Sequence, residues 1–395
     1  MISDRPPRSY TRAVAPLGRP LATGRRALLP AFVCLCGWLA LGAASAQAAF
    51  ITGFTPTTLA TTVPANGDVN PYGIVTVPRR VGLLQRGDLL VSNFNNSGNQ
   101  QGTGTTIVQL PPRASTASTA PVFAQIDPKA LPGPCPGGIG LTTALTVTRS
   151  GFVIVGSLPT SNGMSSTAKA GCLLVLNSHG KVVETIAGGP INGPWDMTAV
   201  DHGLFVTLYV TNVLNGTVAA GTNASGEGNL VDRGTVVRIQ LLTIPGIRPV
   251  VLDERVIATG FTEQTDPNAL VLGPTGVALG RDGTLYVADT VNSRIAAIPD
   301  APFRFFPATG GGFTVSSGGD LMAPLGMTLA PNGDILTANG GDGNIVETTP
   351  FGAQTEVGAD TVNGAGALFG LTVPRGFDGV YFVDDGDNTL RVLTP

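Results

Sequence analysis

Residues 273–295 read Gly-Pro-Thr-Gly-Val-Ala-Leu-Gly-Arg-Asp-Gly-Thr-Leu-Tyr-Val-Ala-Asp-Thr-Val-Asn-Ser-Arg-Ile. Two short apolar runs, 277–279 and 285–287, flank Arg281-Asp282-Gly283, a turn that joins neighbouring antiparallel strands. The second run stops at Asp289, and a third strand starts near Arg294. An aspartate at such a stop hydrogen-bonds backbone amides two residues on and so shapes the turn. The segment is a small antiparallel meander. Alone it cannot cover its own apolar faces, so it needs partners of the same kind.

The partners are in the sequence. An apolar strand with a polar stop occurs six times, ending at Asn93, Ser157, Asn212, Asp289, Asn339 and Asp384. Glycine turns such as Pro331-Asn332-Gly333 and Phe377-Asp378-Gly379 precede several copies. Further upstream each copy has another strand start: Pro71-Tyr72-Gly73, Pro194-Trp195-Asp196, Pro274-Thr275-Gly276, Pro324-Leu325-Gly326 or Leu368-Phe369-Gly370, with Thr143-Ala144-Leu145 the weakest. Six copies after residue 49 leave about 58 residues each, the size of a propeller blade with generous loops. A parallel β-helix is the rival, but its coils are shorter. The expected fold is all-β: a six-bladed propeller of antiparallel strands spanning residues 49–395. Blade six runs out of residues after Leu393, so residues 50–62 are expected to supply its outer strand and leave no free edge.

The stretch 273–295 resembles an NHL repeat, and Tyr209-Val210-Thr211-Asn212 is similar to the signature of the YVTN propellers. The resemblance implies a six-bladed propeller and leaves the chemistry open, because the fold hosts many functions. Gluconolactonase-like propellers hold a catalytic calcium ion with a Glu, an Asn and an Asp, and Asp289 stands where their Asp stands. Their first-blade Glu is missing, since Asn70-Pro71-Tyr72-Gly73 occupies that place, and Thr275 replaces their Asn. Amidating lyases of related fold need a histidine-bound zinc. Only His179 and His202 exist, too few for a three-histidine site.

Compartment is read from the first 48 residues. Arg25-Arg26 precede an apolar run, 27–43, and then Ala46-Gln47-Ala48, the order of a secretory signal with its cleavage site. A secreted or periplasmic protein is expected, free of the membrane once residues 1–48 are removed. Cys34 and Cys36 lie in that segment, and Cys135 and Cys172 remain as an even pair suited to a disulfide. The remainder holds 17 basic and 25 acidic residues without a basic run, which argues against nucleic acid and anionic membrane as partners.

The polar stops Asn93, Asn212 and Asp289 form a ring of candidate ligand-binding groups, with turn formation as their bland role. The acidic turns at 341–344 and 384–388 offer oxygens to Ca²⁺ but lack the distal Glu of a calcium loop, so no cofactor is assigned. The turns after the second strands are long in the first three blades, about 94–104, 158–171 and 213–233, and share a face. Tyr72, Phe94, Trp195 and Asp196 belong to that face and are expected to line it. The function expected is a binding scaffold for a protein or glycan at that face. The alternative is a metal-dependent lactonase or lyase working at the channel mouth. No catalytic residue is assigned and the oligomeric state stays open.

Overall fold

In the computed structural model the described residues are 48–224 and 226–395; the expected signal segment, up to residue 47, lies outside them. Six antiparallel sheets follow one another in the chain. Their second strands match the repeats read above, with Val153–Ser157, Leu285–Asp289, Ile335–Asn339 and Val380–Asp384 buried at every position. Burial on both faces explains why these strands are apolar runs rather than alternating ones. Leu174 and Val155 of blade two, for example, pack with Leu90 and Ile107 of blade one. Helix is confined to Thr217–Ala220 and two 3-10 turns among the described residues. None of these described helices is long and apolar enough to cross a membrane.

Thr55–Thr61 closes the ring. It pairs antiparallel with the last strand, Thr389–Thr394, in a register running from Thr55 opposite Thr394 to Thr61 opposite Thr389. Just before it, the Phe50 and Ile51 amides each donate to the Glu347 carboxylate of blade five at 2.9 Å. The closing strand is therefore anchored to two blades, and the outer edge of blade six is covered.

The first strand of every blade carries an irregularity at the same place. The register slips between Pro71 and Gly73, Leu141 and Leu145, Pro194 and Met197, Pro274 and Val277, Pro324 and Met327, and Leu368 and Leu371. A bulge turns one residue per blade toward the axis, where six strands converge. The glycine after that residue lets the strands approach. A Cβ on Gly326 would stand 1.9 Å from the Phe369 carbonyl oxygen of the next blade, and one on Gly370 would stand 2.4 Å from the Tyr72 oxygen.

Blade three departs from the pattern. Its outer strand, Val250–Asp266, is long, and its far end pairs with a short strand, Leu270–Leu272. Leu270 takes φ +63°, a left-handed conformation uncommon for leucine, which lets the chain double back at the axis. Blade two is stapled by Cys135–Cys172, with Cα atoms 5.2 Å apart.

Candidate active site

The residues turned inward by the bulges decide which end of the channel is open. Tyr72 stacks on Phe369 at 3.8 Å and on Phe94 at 4.4 Å, and Trp195 lies 6.3 Å from Phe369. All four are at most 3% exposed. The doubled-back segment seals them, with Leu270 and Val271 in the same cluster and the Trp195 Nε1–H donating to the Val271 carbonyl at 3.1 Å. Tyr72, Phe94 and Trp195 thus fill the mouth on the long-loop side, where the sequence expectation had them lining it. Large rings at a converging axis gain more from mutual burial than from solvent contact. Phe369, the fourth ring, was missed. Its slot in Leu368-Phe369-Gly370 matches those of Tyr72 and Trp195, so aligning the repeats carries that signal.

The long loops support this closure. The Thr160 amide donates to the Gly102 carbonyl at 2.9 Å, and the Thr160 hydroxyl donates to the Gln101 carbonyl. Gln101 in turn donates through Nε2 to the Pro267 carbonyl at 2.7 Å, next to the doubled-back segment.

Below the plug the channel is hollow. A cavity of about 320 Å³ is lined by all six first strands, among them Thr143, Asp196, Val277, Met327 and Leu371. Asp196 is its one ionisable lining residue. It occupies the slot that is glycine in blades one, four, five and six. Its carboxylate accepts hydrogen bonds from its neighbour Met197 N at 2.8 Å and from Val277 N of blade four at 3.2 Å. Burial pushes its pKa well above the usual carboxylate range, against the pull of those two amides. Across the cavity lining, Thr143 Oγ is buried without a hydrogen-bond partner.

The polar stops are engaged elsewhere. Asn212 accepts from the Asn192 and Gly193 amides and donates to the Pro190 carbonyl, tying down the turn before its own first strand. Asn93 donates to the Thr62 carbonyl at 3.0 Å. Asp289 is fully buried and held by Arg294 Nε at 2.7 Å. In the 384–388 turn, Asp384 and Asp387 both face Arg391, at 3.2 and 2.6 Å. Carboxylates neutralised by guanidinium do not fit a Ca²⁺ ion, which takes six to eight oxygens. No group of three His, Cys, Asp or Glu among the described residues is arranged to hold a metal ion.

Residues 272–298 match the family model of the NHL repeat. The chain is a six-bladed β-propeller with an NHL repeat in blade four. No curated protein is significantly similar in sequence. Similar solved structures include the gluconolactonase XC5397 from Xanthomonas campestris, with a TM-score of 0.53 and 13% identity over 87% of this chain and 90% of that one. A luciferin-regenerating enzyme gives 0.51 and 11% over 87% and 96%. A putative gluconolactonase gives 0.50 and 14% over 87% and 92%. These likenesses establish the fold. They also correct the expectation of a binding scaffold: the similar propellers are enzymes by name, and the face meant for the ligand is plugged.

Proposed function

We propose that the protein is an exported enzyme of lactonase or lyase type that works in its central channel. The observation that carries this reading is Asp196, a buried carboxyl facing a cavity of about 320 Å³. It acts as the general acid. With its acid form favoured by burial, it gives its proton to the oxygen that leaves when a cyclic ester opens, the Thr143 hydroxyl orients the attacking water, and the proton that water loses returns to the Asp196 carboxylate. No metal enters the scheme, because Asp289, the one carboxylate at the family's calcium position, is paired with Arg294, and the family's Glu and Asn are replaced. The names of the similar propellers favour ester or ring-opening substrates, and the disulfide supports an oxidising compartment.

The test is a lactone panel assayed with the protein and with Asp196→Asn. General acid catalysis is worth 10²–10⁴-fold, so the variant is expected to lose about 10²-fold or more of kcat. The wild-type rate should fall as pH rises through the Asp196 pKa, because the acid form is the active one. Undiminished turnover by a folded Asp196→Asn protein would sink the reading.

A further inference from the structure

The open end of the channel leads into a second hollow. This groove, about 800 Å³, is lined by Arg79, Arg86, Arg149 and Arg375. It shares Val75 and Thr372 with the channel cavity, so the two are continuous. The arginines come from the first-to-second-strand connections of blades one, two and six, which ring closure brings side by side. No carboxylate lines the groove. Acidic residues stand close by without lining it: Asp88 is two residues from Arg86 and lies in the field of Arg113, Asp378 is three residues from Arg375, and Asp201 accepts the Arg149 backbone amide.

Among the described residues none of the four guanidinium groups has an ion-pair or side-chain hydrogen-bond partner. Five other described arginines, Arg238, Arg248, Arg255, Arg294 and Arg391, have carboxylate partners; what sets the groove apart is that four arginines without one share a single concavity. Four unpaired like charges in one concavity repel each other, and a multivalent anion removes that repulsion while filling their paired donors. Clefts lined by one sign of charge also concentrate ligands of the opposite sign.

We infer that this groove is an anion-binding site at the channel entrance, and that the substrate is a small molecule bearing a phosphate or carboxylate group. The anion binds in the arginine groove while the reacting end enters the channel toward Asp196. The substrate assignment rests on the channel reading above; the anion site does not.

The probes are inorganic pyrophosphate and citrate, titrated calorimetrically into the full protein. Wild type should bind pyrophosphate with an affinity that falls steeply with salt, and the Arg149→Ser/Arg375→Ser double variant should bind at least tenfold more weakly. Arg248→Ser, whose arginine pairs with Glu184 outside the groove, should bind like wild type. Asp196→Asn should also keep its pyrophosphate affinity. Equal affinity in wild type and double variant would overturn the inference. So would sedimentation with phosphatidylglycerol vesicles in the absence of any response to pyrophosphate or citrate. Pyrophosphate binding lost in the double variant while Asp196→Asn turns over lactones normally would retain the anion site and reject the channel chemistry.

Discussion

At the scale of single residues, the slot after each bulge shows how position sets chemistry. Four blades put glycine there because the next blade's backbone leaves no room for a side chain. Blade three puts Asp196 there, and its carboxylate bridges to Val277 N where the others rely on close packing. Gly326→Ala should therefore destabilise the protein by about 1–3 kcal/mol, the usual range for overpacking, read from urea unfolding. An unchanged midpoint would mean the inner strands part freely. Buried carboxyls also set a pH dependence. Burial raises Glu263 to about 7, and burial with Asp384 nearby raises Asp385 to about 8. Both hold protons in the folded protein that the unfolded chain has released. Their contribution is complete below the ordinary carboxylate pKa and is lost as pH rises through about 7 and about 8. The melting temperature should fall from pH 5 to pH 8.5, and Glu263→Gln should flatten the fall. A rise over that interval would contradict the assignment.

At the scale of elements, two covalent and topological ties hold the ring. The strand Thr55–Thr61 covers an edge that would otherwise be open, so deleting residues 50–61 should lower the melting temperature sharply. An unaltered transition would show that the strand is dispensable. Cys135–Cys172 spans 37 positions, and for a loop of that length chain entropy gives about 4 kcal/mol. Cys135→Ser/Cys172→Ser should lose part or all of that, and intact mass with and without reductant reports the bond in the native protein. The strands were legible because apolar runs with polar stops recur at nearly constant spacing. The bulges were not, since a register slip depends on how neighbouring first strands crowd the axis.

At the scale of the whole molecule, the propeller is a one-ended vessel. Its long-loop end is stoppered by four rings and the doubled-back segment 267–272, and its other end opens through an arginine groove. Trp195 is the stopper's only tryptophan, so its fluorescence reports the closure. In a Trp38→Phe background, emission should be blue-shifted and resistant to iodide quenching, because Trp195 is 3% exposed. Free quenching would mean the long-loop end is open. Cooperative loss of that protection with global unfolding would mark the plug as part of the core.

The sequence by itself determined the blades, their number, the closing strand and the cysteine pair, because each follows from local periodicity or from counting. It also marked Asp196 as an exception, since aspartate stands there in a glycine slot. Which end of the channel is open was decided only in three dimensions. Tyr72, Phe94, Trp195 and Phe369 meet across blades one, three and six, and whether rings line a mouth or fill it depends on that meeting. The basic groove is of the same kind. The chain has no basic run, yet Arg79, Arg86, Arg149 and Arg375 converge because closing a ring brings the first, second and last repeats together.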